Sequence, residues 1–296
     1  MKLSEVRIAI DGGAATGKTA ISKLLAKKLN IEYISTGLMY RLVTKLIIEN
    51  DKLDLINNKS KQKDLQEFLN NYHHKISFYK GEILLDREVI DFELLHDKSI
   101  RDKVSEISSD ITIRHFCTEE QKNIAKNKGI LMEGRDITSI VMPDADVKFF
   151  IEVEPEIKAL RRVQQLQKNN LEASYEEMLA SVIARDKSDR DRKIAPLIKT
   201  EDSIEIYNNY LPIKKIVKFM FRDIKNMAMH DFEKNQKAVD EISKFNRNLN
   251  QKLFDRSKNY SKAKESKIIN AIEERNKLIS LENEIKEKNS IEKNGK

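Results

Sequence analysis

Residues 6–29 read VRIAIDGGAATGKTAISKLLAKKL, and this stretch decides the fold class. An apolar run leads into a loop that matches G-x-x-x-x-G-K-[ST] over Gly12–Thr19, and an amphipathic run, Lys18–Leu29, follows. Strand, loop and helix in this order bind phosphate, because main-chain N–H groups and the helix N-terminus attract an anion. A chance glycine-rich turn is the alternative, but both flanks fit as well as the spacing. The stretch predicts a nucleoside triphosphate site.

The parts of this loop have distinct predicted roles. Gly12 and Gly17 let the main chain approach a phosphate closely. Lys18 supplies a positive charge for the β- and γ-phosphates, and the Thr19 hydroxyl is the predicted ligand of Mg²⁺. The predicted nucleotide-binding residues are Gly12, Gly13, Ala14, Ala15, Thr16, Gly17, Lys18 and Thr19.

Length and composition narrow the class of protein. The 296 residues, 40% of them hydrophobic, can bury one or two cores. Cys117 has no partner for a disulfide, which favours a reducing compartment. The first apolar run closes at Asp11, and no run reaches the roughly 18 apolar residues of a membrane span. We therefore expect a cytoplasmic protein without a membrane segment. The net charge of +7 suits nucleotides and is weak support for nucleic-acid binding by the core.

Strand and helix signals alternate along much of the chain. The apolar runs that predict core strands are Val6–Ile10, Tyr33–Ile34, Gly129–Met132, Val147–Ile151 and Ile204–Ile206. The segments with helical periodicity are Lys18–Leu29, Leu38–Ile48, Ile157–Gln167 and Tyr175–Asp186. This alternation predicts an α/β fold in three layers, with a parallel sheet between helices.

The pattern changes in two other parts of the chain. Residues 51–128 contain a predicted hairpin turning at Lys80-Gly81 and then helical stretches, which indicates an insertion into a core formed by residues 1–50 and 129–230. Residues 231–296 are rich in Lys and Glu and carry a thin apolar stripe at helical spacing. We expect a charged, partly helical extension there, which either is solvated, folds back on the core or pairs with an unknown partner.

Three polar clusters follow core strands or end a helix and are candidates for binding a second substrate. Ser35–Arg41 offers hydroxyls and a guanidinium directly after the second strand, and Gly134-Arg135-Asp136 follows the third. Ligands of open α/β sheets gather at such strand ends. Residues 185–193 read RDKSDRDRK, and helical spacing places Arg185, Asp189 and Arg192 on one face. Several guanidinium groups can hold a phosphoryl group, although a solvated charged face is the alternative for this run.

Together these residues resemble the bacterial cytidylate (CMP) kinase family. The family's phosphate loop reads much like residues 12–19 after the same Ile-Asp-Gly lead, and its G-R-D element matches Gly134–Asp136. Its (D/S)-(T/S)-G-x-x-Y-R element matches Ser35–Arg41, and its R-D-x-x-D-x-x-R-x-x-(A/S)-P-L run matches Arg185–Leu197. The order and spacing agree over roughly residues 5 to 225, and four elements in order are specific. The D-G-x-P-R element of adenylate-type kinases is absent.

The resemblance implies a P-loop kinase fold that transfers the γ-phosphoryl of MgATP to CMP or dCMP. It implies that residues 51–128 form the CMP-binding part and that residues 155–193 contain a helical lid. The catalytic residues it implies are Lys18, Arg135, Arg185 and Arg192. The substrate-binding residues it implies are Ser35, Tyr40, Arg41, Ser105, Arg114, Arg135, Asp136, Arg185, Asp189 and Arg192. We expect a monomer, with no nucleic acid bound to the core.

Four positions depart from the family pattern. Ala20 stands where Thr is frequent, and Glu133 replaces an Asp but could still orient water around Mg²⁺. His96 stands for an Arg of the insertion. Lys158 stands for a lid Arg, which keeps the charge but loses bidentate geometry. These departures affect expected rate and specificity rather than the expected reaction.

Other candidate sites and functions are weaker. His73-His74 suggests a metal, but no Cys or carboxylate cluster at ligand spacing accompanies the pair, so we favour a structural or surface pair. Cys117 is expected to be half-buried on a helix, and Met39, Met132 and Met142 to pack in the core. The alternative functions are another small-molecule P-loop kinase, or a nucleotide-binding scaffold or nucleic-acid-associated ATPase.

Overall fold

The structure is a computed structural model and describes residues 2–168, 174–209 and 212–229. The strands of the larger sheet are β1 (Arg7–Gly12), β2 (Glu32–Ser35), β6 (Ile130–Gly134), β7 (Val147–Glu152) and β8 (Ile204–Tyr207). The strands of the smaller sheet are β3 (Ile76–Tyr79), β4 (Glu82–Leu85) and β5 (Glu88–Val89). The α-helices are α1 (Lys18–Leu29), α2 (Thr36–Glu49), α3 (Gln62–Asn70), α4 (Phe92–Leu95), α5 (Lys98–Ile107), α6 (Ile111–Ala125), α7 (Pro155–Lys168), α8 (Tyr175–Asp191) and α9 (Ile213–Met229).

The larger sheet is parallel throughout, in the order β2-β6-β1-β7-β8. Its strands overlap all five runs predicted from sequence, although β1 and β6 begin one residue later than predicted, at Arg7 and Ile130. The predicted α/β class is confirmed. The first strand extends past the predicted end at Ile10, because Asp11 pairs with Gly134 and Gly12 with Ile151. Parallel pairing places the carboxyl ends of all five strands at one edge of the sheet. The loops that follow β1, β2 and β6 therefore meet there.

Both faces of the sheet are buried. Ile8 and Ile10 of β1 pack with α1 and α9 on one face, whereas Ala9 belongs to the cluster on the other face with Met132 and Ile137. Alternate residues of a strand point to opposite faces, so an apolar run such as that of β1 needs a covering layer on each side. This gives the three layers that the sequence predicts.

The structure adds two elements that the sequence analysis does not predict. Helix α9 covers the sheet beside α1, and its Ile216, Met220 and Ile224 are buried at four-residue spacing. The short strand β5 extends the predicted hairpin to three strands. Helix α8 includes the predicted segment Tyr175–Asp186 and much of the charged run that follows, and it ends at Asp191.

Residues of the predicted insertion pack together on helix α2. The hairpin turns where predicted, with Lys80 and Gly81 both at positive φ (52° and 80°), as a tight two-residue turn requires. Leu65 of α3 and Leu95 of α4 are buried in one cluster with Leu42 of α2. None of the helices that the structure describes is long and apolar enough to cross a membrane. The predicted extension, residues 231–296, lies outside the described residues.

Candidate active site

The predicted phosphate loop lies between β1 and α1, as its spacing requires. Gly12 runs so close to β7 that a Cβ atom at this position would collide with the Ile151 carbonyl. Gly17 has φ +82°, and a Cβ there would lie 2.7 Å from Asn208 Nδ2. Asn208 in turn donates to the Thr16 carbonyl at 2.7 Å, which ties the loop to the end of β8. The two glycines are thus required by both space and backbone conformation.

Lys18 is buried within the loop that it follows. Its Nζ donates to the Gly12 and Gly13 carbonyls, both at 2.7 Å. Burial lowers the pKa of Lys18 to about 7, and the positive charge of Arg135 acts in the same direction. Among the residues that the structure describes, the ammonium group has carbonyl partners and forms no ion pair with a carboxylate. A phosphate group bound in the loop would supply an anion and would restore the pKa.

The Thr19 hydroxyl forms a hydrogen-bonded node with Glu133 at the end of β6. Thr19 Oγ1 and Tyr33 Oη donate to Glu133 Oε1 at 2.7 Å each, and Ser35 Oγ does so at 3.3 Å. Burial, followed by the charge of Glu133, raises the pKa of Tyr33, so its hydroxyl remains a donor. The longer carboxylate that departs from the family pattern therefore reaches both the phosphate loop and the Ser35 segment. A hydroxyl beside a carboxylate is the oxygen-rich environment that Mg²⁺ prefers, so this pair fits the predicted metal.

Asp11 ties β1 to the segment that follows Asp136, a contact that the sequence analysis misses. Its carboxylate accepts hydrogen bonds from Ile137 N (3.0 Å), Thr138 N (2.7 Å) and Thr138 Oγ1 (2.6 Å). Burial raises the pKa of Asp11 to about 6 in spite of these bonds. The signal available in sequence was an acidic residue inside an otherwise apolar strand.

Four side chains with unpaired buried polar atoms lie together beyond β6. In the described part of the chain, Tyr40 Oη, Arg114 Nη1, Asp136 Oδ2 and Arg192 Nη2 are buried without a hydrogen-bond partner. Arg114 Nη1 and Arg192 Nη2 lie 3.6 and 3.9 Å from Asp136 Oδ2, within ion-pair but beyond hydrogen-bond distance. Burial raises the pKa of Asp136, against the opposing charges of Arg192 and Arg114. Buried polar atoms are normally satisfied, so this group indicates a site for a polar ligand.

Arg135 and Arg192 converge on Asp189 near the end of α8. Arg135 Nε donates to Asp189 Oδ2 at 2.8 Å, and Arg192 Nη1 lies 3.8 Å from Asp189 Oδ1. Arg192 is the residue after the helix and has extended backbone. The prediction that Arg185, Asp189 and Arg192 lie on one helical face is therefore wrong for Arg192. The contact with Asp189 survives because the two residues are only three apart. Arg185 is exposed on the same helix.

Further arginines gather around Arg41. Its Nη1 donates to the Leu95 carbonyl at 3.0 Å, which orients the guanidinium toward the insertion. Burial lowers the pKa of Arg41, and the charges of Arg185, Arg101 and Arg162 lower it further. Arg101 and Arg162 were not predicted as site residues, since neither lies in a family-like motif. A cluster of positive charges without enough carboxylates is suited to a phosphate dianion.

Two predicted positions stand apart from these contacts. Ser105 is exposed on α5, and its main-chain oxygen accepts from Ser108 Oγ at 3.2 Å. His96 stacks on Phe92 with ring centroids 3.8 Å apart, and burial lowers its pKa. The structure therefore does not bring the Ser105 side chain into the unpaired polar group around Asp136.

Helices α7 and α8 rest on the phosphate loop through a buried ion pair. Lys158 Nζ lies 2.6 Å from Asp186 Oδ2, and Lys158 is 1% exposed. A Cβ atom on Gly13 would lie 2.7 Å from Asp186 Oδ1 and 3.0 Å from Lys158 Nζ. The Lys158 that departs from the family pattern is thus directly beside the loop. The predicted lid also includes residues 169–173, which lie outside the described residues.

The remaining side-chain expectations concern packing. Met39, Met132 and Met142 are fully buried, as predicted. Cys117 is fully rather than half buried on α6, and burial raises the pKa of its thiol. The prediction underestimated the burial of Cys117 because α6 is covered by the insertion and by α2.

Comparison with known proteins gives a consistent assignment. A family model described as cytidylate kinase matches residues 8–226. The cytidylate kinase of Fervidobacterium nodosum is 37% identical over 220 residues, covering 71% of this chain and 92% of that protein. Those of Thermosipho melanesiensis (36% over 219 residues; 74% and 96% covered) and Clostridioides difficile (37% over 210 residues; 71% and 94% covered) are similarly related. The chain belongs to the cytidylate kinase family.

Proposed function

We propose that this protein transfers the γ-phosphoryl group of MgATP to CMP or dCMP and releases the corresponding diphosphate. The observation that carries the proposal is the set of unpaired buried polar atoms on Tyr40, Arg114, Asp136 and Arg192, at the same sheet edge as the phosphate loop. Gly134, the residue before Arg135, pairs with Asp11, the residue before the phosphate loop, so the two sites adjoin. Adjoining sites for a triphosphate and for a polar acceptor are what direct transfer requires.

The mechanism follows from the charges present. An oxygen of the CMP phosphate attacks the γ-phosphorus, the bond from that phosphorus to the β,γ-bridging oxygen breaks, and ADP leaves. The phosphate is already an anionic nucleophile, so no general base is required. Lys18 and Arg135 stabilise charge on the transferring group, with Arg185 and Arg192 as further guanidinium partners. Positioning and electrostatics therefore account for the rate.

Selection of the base is assigned to Asp136. Cytosine carries an exocyclic amino donor where uracil has a carbonyl. The unpaired Asp136 Oδ2 accepts from that amino group, with Arg114 and Arg192 holding the carboxylate in its charged form. UMP would leave a buried acceptor facing a carbonyl oxygen, which is strongly unfavourable.

The predicted Mg²⁺ accompanies ATP at the Thr19–Glu133 node. The Thr19 hydroxyl would be a direct ligand, and the Glu133 carboxylate would orient water around the ion. When bound, Mg²⁺ neutralises charge on the β- and γ-phosphates. The Thr19–Glu133 hydrogen bond of 2.7 Å supports this assignment, because both oxygens already lie together.

The division of labour between chain segments is part of the proposal. Residues 51–128 supply Arg114 to the acceptor site, which supports their assignment as the CMP-binding insertion. Residues 155–193 supply Lys158 and Asp186, which contact the loop residue Gly13 and support a lid role. Closure over bound nucleotides would exclude water as a competing acceptor.

The test is an acceptor survey with the full chain, MgATP and CMP, dCMP, UMP, AMP or water. We expect CDP and dCDP as products, with UMP at least tenfold poorer in kcat/KM, since the loss of one buried hydrogen bond corresponds to about 1–3 kcal/mol. Preferred use of another acceptor would show that the protein catalyses a different P-loop kinase reaction. ADP formation with water alone would favour an ATPase and overturn the proposal.

A further inference from the structure

His73 and His74 lie in the turn between α3 and β3. In sequence, no Cys or carboxylate cluster at ligand spacing accompanies them, which favours a structural or surface pair. The fold brings a carboxylate to them: Glu120 of α6, 46 residues further along the chain than His74. Sequence spacing could not reveal this ligand, because it belongs to another helix of the insertion.

The three side chains present their ligand atoms to one another. His73 Nδ1 contacts Glu120 Oε1, and His74 Nδ1 lies 3.8 Å from the same oxygen. The three ligand atoms all lie within 4.8 Å of one another. The His74 main-chain N–H also donates to Glu120 Oε1 and Oε2 at 3.4 and 3.3 Å, which orients the carboxylate.

The charge on Glu120 is poorly compensated without a further cation. Its side chain is 3% exposed, and a buried carboxylate needs a paired charge. Among the residues that the structure describes, no Lys or Arg forms an ion pair with it. Its ion-pair partners are His73 and His74, and each is charged only when protonated. The two imidazoles and the carboxylate thus bring three ligand atoms suited to a divalent cation within 4.8 Å of one another.

We propose that His73, His74 and Glu120 bind Zn²⁺ at a site separate from the nucleotide sites. Two imidazole nitrogens and one carboxylate oxygen are donors that suit zinc, with water as the fourth ligand. Zinc bonds of about 2.0–2.2 Å require rotations of the rings that separate His73 Nδ1 from Glu120 Oε1 enough to admit the ion. Such rotations are available because the two histidine side chains are 46% and 68% exposed.

Zinc bound at this site would stabilise the part of the protein that we propose binds the acceptor. Helix α6 carries Glu120 and, six residues earlier, Arg114, which corresponds to about 9 Å along the helix. Zinc would attach the turn before β3 to this helix. The expected consequence is a higher melting temperature of the nucleotide-free protein, since a ligand that binds only the folded state stabilises it.

The experiment is a Zn²⁺ titration of the untagged, metal-free and nucleotide-free full chain in competition with a chromophoric chelator. His74→Ala, at an exposed position, and Glu120→Gln, which retains an acceptor for the His74 amide, each remove one ligand. His115→Ala is the matched control, because His115 is exposed on α6 outside the cluster. We expect a single equivalent of Zn²⁺, at least about tenfold weaker binding in both ligand variants, and unchanged binding in the control. Excess Mg²⁺ should not displace the zinc, since Mg²⁺ prefers oxygen ligands.

Two results would overturn the proposal. One is zinc binding that is equal in the wild type, His74→Ala and Glu120→Gln, which would place the metal elsewhere. The other is the absence of zinc binding and of a zinc-induced rise in melting temperature, which would make the cluster a His–Glu ion pair only. His74→Ala is decisive if Glu120→Gln fails to fold. CMP phosphorylation plays no part in either measurement.

Discussion

At the scale of single residues, Lys18 is held in an environment that opposes its charge. It is buried, its partners are carbonyl oxygens, and its pKa falls to about 7. The unfolded chain, with a lysine pKa near 10.5, binds more protons between these two values. The destabilisation by Lys18 is therefore full below pH 7 and fades as the pH rises toward 10.5. A lysine placed to bind phosphate thus lowers the stability of the nucleotide-free protein.

We expect Lys18→Met to abolish phosphoryl transfer and yet to stabilise the nucleotide-free fold. The gain should be on the order of 1 kcal/mol at pH 7 and smaller at pH 9, because the wild type then loses its buried charge. Coupled assays and urea denaturation at the two pH values measure both effects. Near-normal turnover in this variant would reject the assignment of the loop to ATP.

Asp136 is the second residue whose role can be isolated. We expect Asp136→Asn to narrow the ratio of kcat/KM for CMP over UMP by at least about tenfold, because an amide can donate to the uracil carbonyl. The ATP KM should change little. Asp144→Asn is the control, since Asp144 is an exposed carboxylate paired with Arg7 at 2.8 Å. An unchanged preference in Asp136→Asn would remove Asp136 from base selection.

At the scale of elements, the phosphate loop and α8 lie so close together at Gly13 that a single added methyl group would disturb their contact. Gly13 lacks a positive φ, so alanine is not strained there by its backbone. Its Cβ would nevertheless meet Asp186 Oδ1 at 2.7 Å. A Cβ atom on Gly37, at the start of α2, would have Ser35 Oγ as its nearest neighbour, at an ordinary contact distance of 3.9 Å.

We therefore expect Gly13→Ala to push α8 away from the loop and to lower kcat/KM for ATP by about tenfold or more, since small displacements of catalytic groups have large effects. Gly37→Ala changes the Ser35–Arg41 element, away from the α8 contact, and should retain kcat/KM for ATP at saturating CMP and gain about 0.4–1 kcal/mol in stability. Kinetics and thermal denaturation of the pair provide the comparison. Equal activity of the two variants would show that the α8 contact is irrelevant to turnover.

At the scale of the whole molecule, α9 completes the core beside α1. Ile216, Met220 and Ile224 are at most 1% exposed in the cluster that covers β1 and β7. Each such side chain contributes about 1.5–3 kcal/mol on burial, and a domain is stable by about 5–15 kcal/mol in total. Among the described residues, α9 thus supplies a buried layer over this face of the sheet.

A chain of residues 1–229 should accordingly retain the CMP-dependent turnover and the melting temperature of the full chain. Ile224→Ala in the full chain should instead lose about 2–5 kcal/mol by leaving a cavity. The exposed neighbour variant Lys225→Ala should be neutral. Loss of turnover in the shortened chain, with its melting temperature intact, would assign residues 230–296 a part in catalysis.

Local patterns were enough to predict the sheet, the phosphate loop and the two-residue hairpin. Apolar runs indicate strands that are buried on both faces, and the spacing of the glycine-rich loop indicates an anion site. The pair Lys80-Gly81 indicates a turn at positive φ. Each of these features is determined by residues that are close together in the chain, so it can be predicted from sequence. Helix α9 carries the same kind of signal, with Ile216, Met220 and Ile224 at four-residue spacing.

Contacts across long sequence separations were decided by the tertiary structure. Glu133 meets Thr19, Asp11 holds Thr138, and Glu120 meets His73, although each pair is separated by many residues and by different elements. The unpaired atoms around Asp136 likewise arise only when α6 and the end of α8 converge on β6. Periodicity and spacing describe one element at a time, whereas burial and electrostatic environment depend on all the elements that pack around a group.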